Sequence, residues 1–132
     1  MLDTNTLIYF IKNKPPSEAA RIDALKDDDA LCMSFVTYAE LLKGTEGSAR
    51  KAEVLQGLGA IVRQVPVLYA VGRALCEHYA MQSTRLKAAG TPIGGNDLCI
   101  ACHALAEGAT LVTNDAREFG RVVGLAVDNW AR

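Results

Sequence analysis

Short apolar runs alternate with longer stretches of helical periodicity along this chain of 132 residues. The alternation is typical of an α/β domain with a mostly parallel sheet, because each parallel strand needs a crossover helix before the next. Strands are predicted at 1–3, 31–35, 65–68, 109–113 and 125–127. Helices are predicted at 5–12, 17–26, 36–43, 49–63, 70–89 and 97–107, with a short one near Arg117. We expect a single α/β domain over residues 1–132, with a central sheet of about five strands and helices on both faces.

Glycines and a run of acids mark breaks between these elements. Gly44 is expected to end a helix, and Gly94-Gly95 to form the loop before a helix that Asp97 opens. The run Asp27-Asp28-Asp29 is interpreted as a solvated turn.

The bulk composition bounds the class of protein. Half of the residues are hydrophobic, so a disordered chain is not expected, and the net charge of -1 provides no overall attraction to nucleic acid. The four cysteines lie mostly in apolar segments. Neither a signal peptide nor an apolar run of the roughly 20 residues that cross a bilayer is apparent. We therefore expect a cytoplasmic protein with reduced thiols and no membrane association.

Four acidic residues occupy places where an isolated carboxylate has little structural purpose. Asp3 and Asp115 follow predicted strands, whereas Glu40 and Asp97 fall in the first turns of predicted helices. Ligands of a parallel sheet collect outside the carboxyl ends of its strands, so the four side chains are expected to face one crevice. Carboxylates that lie close together raise one another's pKa, and a bound divalent cation is the usual remedy. The pattern predicts a metal-dependent enzyme acting on phosphate esters.

Each acid also has an ordinary structural interpretation. Asp97 and Asp115 could cap helices, and Asp3 could bond the backbone of a turn. Glu40 could extend into solvent from a half-exposed helix face, although burial among its apolar neighbours without a partner would be costly.

The segment Cys99-Ile100-Ala101-Cys102-His103 matches both a haem-attachment pattern and a redox C-x-x-C pattern. It continues an apolar helix and follows neither an export signal nor a strand, so packing is its expected role. A zinc site here would lack a nearby fourth ligand.

The four acids lie in four characteristic segments: MLDTN at 1–5, SFVTYAEL at 34–41, GTPIGGNDLCIA at 90–101 and VTNDAREF at 112–119. Together, in this order, these segments resemble those of PIN-domain ribonucleases, and most closely the VapC toxins of bacterial toxin-antitoxin pairs. The resemblance spans essentially the whole chain and includes the tail at 125–130.

The resemblance implies an acidic site whose members are Asp3, Glu40, Asp97 and Asp115, with Asn5 and Thr113 as polar neighbours. The fourth acid is Asn in some relatives, so the role of Asp115 is the least fixed. The resemblance also implies RNA as substrate, often tRNA. It implies homodimers or toxin-antitoxin hetero-oligomers, and a VapB-type antitoxin whose C-terminal segment enters the active-site groove.

Hydrolysis of a phosphodiester requires a neutralised phosphate, a hydroxide near neutral pH and a stabilised leaving oxygen. Mg²⁺ or Mn²⁺ held by oxygen ligands can provide all three. We expect Asp3 and Asp97 to bind the metal directly and Asp115 to bind it directly or through water. Glu40 is expected to complete the site or to orient the attacking water.

The RNA backbone must be held by cations. Arg117 is the best placed, and the other candidates are Lys43, Arg50, Lys51, Arg85 and Lys87.

Three other functions share parts of this pattern. A receiver-like Mg²⁺-dependent binding module also gathers acids at strand ends, but no Asp ends the third predicted strand and no lysine follows Lys87. A catalytically idle PIN-like domain that only binds a partner is disfavoured by the four intact acids. DNA flap nucleases of this type are larger, and this chain has no obvious insertion for threading a flap.

Overall fold

Helices alternate with short strands in the computed structural model, which describes residues 1–13 and 30–130. The helices are α1 (Thr4–Asn13), α2 (Phe35–Glu46), α3 (Lys51–Gln64), α4 (Arg73–Ala88), α5 (Gly95–Glu107) and α6 (Ala116–Phe119). The strands are β1 (Met33–Ser34), β2 (Val67–Leu68), β3 (Leu111–Val112) and β4 (Val127–Asp128). The helix predicted at 17–26 and the acidic run Asp27-Asp28-Asp29 lie outside the described residues. None of the described helices is long and apolar enough to span a membrane.

Five segments of extended chain lie side by side and are joined by backbone hydrogen bonds. β1 pairs with β2, and β3 with β4, both in parallel. Residues 1–3 lie between the two pairs, because the Leu2 N–H donates to the Cys32 carbonyl and the Asp3 N–H donates to the Val112 carbonyl. The order is therefore β2, β1, residues 1–3, β3, β4. The predicted parallel sheet of about five strands is confirmed. Its strands are shorter than predicted, and residues 1–3 join β3 through the single bridge between Leu2 and Val112.

Neighbouring residues of these segments pack on opposite faces of the sheet, as the two-residue period of extended chain requires. One cluster joins the sheet to α5 and α6; its buried members are Met1, Ile100, Ala101, Ala104, Leu111, Phe119 and Val122. A second cluster joins the sheet to α1, α2 and α3; its buried members are Leu2, Leu7, Met33, Val65, Val112 and Trp130. The prediction of helices on both faces is confirmed.

Gly44 does not end α2, contrary to the prediction, and the helix continues to Glu46. The added turn contains Thr45, which is buried and whose hydroxyl donates to the Leu41 carbonyl at 3.1 Å. A helix-interior glycine costs only about 1 kcal/mol relative to alanine, so this packing is enough to carry the helix past it.

The helices α2 and α4 also begin at residues other than the predicted ones. Phe35 was expected to end a strand, but it begins α2, since the Ser34 hydroxyl accepts the Val36 N–H and caps the helix. The helix predicted at 70–89 begins only at Arg73, after the extended residue Gly72.

Helix α4 holds the chain that follows α6. The buried Gln82 donates from Nε2 to the Val123 carbonyl at 2.8 Å and accepts the Val123 N–H at 3.3 Å. Arg85 donates to the Arg121 carbonyl and, at 3.1 Å, to Gln82 Oε1. These bonds attach residues 121–123, which follow α6, to α4.

Candidate active site

Asp3 is buried and lies at the carboxyl end of residues 1–3, which are the first segment of the sheet. Its Oδ1 accepts the Thr6 N–H at 2.8 Å, and its backbone carbonyl accepts the Leu7 N–H. One carboxylate oxygen therefore caps α1, whereas the local interpretation of Asp3 expected a bond to the backbone of a turn around Thr4-Asn5. Among the described residues, no side chain or backbone group donates to the other oxygen, Oδ2, which is left for a further ligand.

Glu40 lies in the second turn of α2 and is half-buried. Its Oε1 accepts a hydrogen bond from the Thr4 hydroxyl at 2.6 Å. Because Thr4 follows Asp3 in the chain, this bond turns the Glu40 carboxylate toward Asp3. The alternative in which Glu40 extends freely into solvent does not hold.

Asp97 is the third residue of α5, which begins at Gly95 and not, as predicted, at Asp97. The N-cap residue is Gly94, and no side chain caps this helix. The capping interpretation of Asp97 is therefore wrong, and its carboxylate needs another explanation.

The electrostatics of Asp97 link it to the other predicted acids. Burial and the charge of Glu40 raise the pKa of Asp97, and the charges of Asp3 and Asp115 raise it further, while a side-chain hydrogen bond with Glu118 lowers it. Three acids from separate parts of the chain thus lie within electrostatic range of Asp97. Their roles in metal binding and catalysis stay predictions.

Asp115 is exposed and caps α6, because its Oδ1 accepts the Glu118 N–H at 3.1 Å. The capping interpretation of Asp115 is confirmed. The buried Thr113 lies beside it and accepts the Asp115 N–H on its hydroxyl oxygen at 2.9 Å. Thr113 thereby fixes the backbone from which the Asp115 carboxylate projects.

A fifth acid, Glu118, belongs to the same group and was not among the predicted site residues. Partial burial, a hydrogen bond with the Asp115 side chain and the charge of Asp97 raise the pKa of Glu118 to about 6. The sequence signal that identifies it is the spacing from Asp115 to Glu118. A capping box places a glutamate three residues after the cap and turns it back toward the cap.

The donor set fits a hard divalent cation in its chemistry, since every candidate ligand is a carboxylate oxygen. In residues 1–13 and 30–130, no three His, Cys, Asp or Glu side chains are already arranged to hold an ion. The raised pKa values of Asp97 and Glu118 reflect the crowding of like charges at this position. A divalent cation would offset that repulsion, so the group fits a metal in charge without being closed around one.

A hollow of about 260 Å³ opens beside Glu40 and is lined also by Lys43 and Asn96. Lys43 is exposed there and lies one turn after Glu40 on α2. Arg117 is exposed on α6, between Asp115 and Glu118 in the chain, and Asn5 is exposed in the first turn of α1.

The other predicted RNA-binding cations are placed differently. Arg50 forms an ion pair with Glu53 in the first turn of α3, and Lys51 forms one with Glu46 at the end of α2. Arg85 is bonded to Gln82 and to a backbone carbonyl, and Lys87 is exposed at the end of α4. Lys43 and Arg117 are therefore the cations that the fold leaves nearest to the acids without an ion-pair partner in the described part of the chain.

The C-x-x-C-H segment lies within α5 and serves packing, as predicted. His103 is buried, and its Nδ1 lies 2.8 Å from the Ser34 hydroxyl that caps α2. Burial lowers the pKa of His103, and burial raises the pKa of Cys102 to about 11, so both side chains are neutral near pH 7. All four cysteines are free thiols.

Comparison with known proteins identifies the family. The model of a family described as PIN domain matches residues 1–125. The chain belongs to the PIN-domain family. Over 132 residues it is 43% identical to Ribonuclease VapC1 of Haemophilus influenzae strain R2866, covering 100% of this chain and 98% of the relative.

Two further similarities lie in the same branch of the PIN-domain family. The chain is 37% identical over 131 residues to the tRNA(fMet)-specific endonuclease VapC of Shigella flexneri, covering 99% of this chain and 97% of that one. The solved structure of VapBC-1 from nontypeable Haemophilus influenzae matches with a TM-score of 0.95 and 43% identity, covering 100% of this chain and 98% of that chain. The predicted family is confirmed, and the receiver-like alternative is wrong.

Proposed function

We propose that this chain is a metal-dependent endoribonuclease that hydrolyses RNA phosphodiester bonds in the cytoplasm as the toxin of a toxin-antitoxin pair. The supporting observation is the convergence on Asp97 of the charges of Glu40, Asp3 and Asp115. These acids come from α2, the first sheet segment and the cap of α6, so no single local requirement accounts for their meeting. The ribonuclease names of the VapC relatives agree with this chemistry.

In this proposal Asp3 and Asp97 are direct ligands of Mg²⁺ or Mn²⁺, and Asp115 binds the ion directly or through water. Glu118 joins them, since its carboxyl group lies close enough to Asp97 and Asp115 for both to raise its pKa. Glu40, held by Thr4, completes the site or orients the attacking water. The bound cation supplies charge neutralisation for the phosphate and lowers the pKa of a bound water toward neutrality.

The RNA backbone is held by cations at the rim of the acidic site. Lys43 shares a hollow with Glu40 and provides a positive charge for a phosphate beside the carboxylates. Arg117 provides a second charge from α6. We propose tRNA as the substrate class, because the Shigella flexneri relative is named as a tRNA(fMet)-specific endonuclease.

A VapB-type antitoxin is the proposed partner, in a homodimeric or toxin-antitoxin hetero-oligomeric assembly. Two adjoining hollows of about 380 Å³ each lie between α1, α2 and α3, and the second one reaches Glu40. Their apolar lining residues include Ile8, Ile11, Leu41, Val54 and Leu58. An amphipathic antitoxin segment in this groove would bury these apolar atoms and cover Glu40, which would inhibit the enzyme.

The test uses purified, antitoxin-free protein with total cellular RNA or single-stranded DNA, in Mg²⁺, Mn²⁺ or EDTA. We expect RNA products with either ion, none in EDTA, and none from the Asp3→Asn variant. Glu77→Gln is the matched control, because Glu77 is an exposed carboxylate on α4 that pairs with Arg73.

Two results would contradict the proposal. Folded wild-type protein that binds the ion but cleaves neither polymer would favour a catalytically idle binding domain. Cleavage of DNA alone would favour the DNA-nuclease alternative.

A further inference from the structure

Thr4 follows Asp3 directly in the chain, and its hydroxyl reaches across to α2. Thr4 Oγ1 donates to Glu40 Oε1 at 2.6 Å and lies 3.3 Å from Thr37 Oγ1. Thr37 is fully buried, and it lies one turn before Glu40 on the same face of α2. A hydroxyl has one proton, and the carboxylate is the closer and stronger acceptor, so the Thr37 hydroxyl is the group that donates to Thr4.

The first turn of α1 therefore fixes two acids from different elements. The Thr6 N–H holds Asp3 Oδ1, and the Thr4 hydroxyl holds Glu40 Oε1. No donor within residues 1–13 and 30–130 satisfies the second oxygens, Asp3 Oδ2 and Glu40 Oε2. Each carboxylate keeps one oxygen for a ligand while the other is held by the protein.

We propose that Thr4 is a positioning residue that orients Glu40 for its part in ion and water binding; this inference rests on the proposed function. Without the hydroxyl, the Glu40 carboxylate would face the charge of Asp97 with no donor to hold it, and rotation away would relieve the repulsion. Holding Glu40 in place before the ion arrives removes an ordering cost from binding. Loss of a donor that orients a metal ligand typically lowers metal affinity or activity roughly 10- to 100-fold.

A hydrogen bond that only joined α1 to α2 would stabilise the fold without affecting ion binding. Thr45 provides the comparison for this alternative. It is buried on α2, and its hydroxyl donates to the Leu41 carbonyl at 3.1 Å rather than to an acid.

The experiment compares Thr4→Val, which keeps the shape and removes the donor, with Thr4→Ser, which keeps the donor. Mn²⁺ affinity is measured by calorimetry on antitoxin-free protein, RNA cleavage gives kcat and KM, and thermal unfolding in EDTA reports stability. We expect Thr4→Val to bind Mn²⁺ about 10-fold more weakly, with a lower kcat and little change in KM for RNA. We expect Thr4→Ser to stay within about twofold of wild type. Thr45→Val, which removes a buried hydroxyl that contacts no acid, should leave Mn²⁺ affinity unchanged.

Thr4→Ala is measured beside Thr4→Val, so that a folding defect of the valine variant does not decide the result. Equal Mn²⁺ affinity and kcat in wild type and the folded Thr4 variants would refute the role of Thr4 while the nuclease assignment stands. Wild-type protein that neither binds Mn²⁺ nor cleaves RNA would refute the proposed function, and the inference with it.

Discussion

Asp97 on α5 and Glu118 on α6 lie close enough for each carboxyl group to shift the pKa of the other. Burial and the charge of Glu40 raise the pKa of Asp97, and burial with a hydrogen bond to Asp115 raises the pKa of Glu118 to about 6. Below about pH 6 the Glu118 carboxyl group binds a proton. A divalent cation bound beside it in that range would displace the proton, so the two equilibria are coupled.

Metal-free protein should lose stability as the pH rises through the range from 4.5 to about 6, because the pKa of Glu118 is raised from 4.5 to about 6. In that window the folded state binds more protons than the unfolded state, so the contribution of Glu118 to the unfolding free energy falls with rising pH. Glu118→Gln should flatten this part of the profile. Urea unfolding in EDTA across the window measures both proteins, and identical slopes would contradict the assignment of the titrating group.

Asp97→Asn should abolish RNA cleavage while leaving the metal-free fold at least as stable as wild type. The substitution keeps the shape of the side chain and removes a charge that Glu40, Asp3 and Asp115 repel. Thermal unfolding in EDTA tests the stability, and RNA cleavage in Mn²⁺ tests the activity. Added Mn²⁺ should raise the unfolding temperature of wild type but not of the variant. An active Asp97→Asn protein would refute the assignment.

Gln82→Met should lower the free energy of unfolding by about 1 kcal/mol, since it removes the partner of the partly buried N–H and carbonyl of Val123. Gln64→Met is the matched control, because Gln64 is exposed at the end of α3. Urea denaturation measures both variants. Equal losses in the two would mean that the bonds to Val123 contribute no net stability.

Lys43→Ala should raise KM for RNA and reduce the salt dependence of binding by about one phosphate contact. Lys51→Ala is the comparison, because Lys51 pairs with Glu46 at 2.8 Å and lies outside the hollow beside Glu40. RNA binding is measured at several salt concentrations in EDTA, so that no cleavage occurs. A larger effect at Lys51 would place the RNA on another surface.

The parallel sheet and the four predicted acids were accessible from the sequence because their signals are local. Leu2, Met33 and Val112 lie in short apolar runs, and such runs predict buried parallel strands wherever the chain later places them. Asp3 and Asp115 follow two of these runs, which is enough to place them at one edge of the sheet.

Contacts between distant parts of the chain were not accessible in the same way. The spacing from Asp115 indicates a capping box that includes Glu118, but only the fold brings Glu118 close to Asp97. Thr4 shows no sign of a further role in the sequence, because no residue near it indicates that its hydroxyl will contact Glu40. Gly44 is a typical helix-ending residue in the sequence, and α2 continues past it because Thr45 is buried.

The most direct test of the central claim is an anomalous difference map from crystals of the wild-type protein soaked in Mn²⁺. The account predicts a manganese peak in contact with the carboxylates of Asp3 and Asp97. A peak at another position, or none, in a protein that cleaves RNA only with Mn²⁺ present would contradict it.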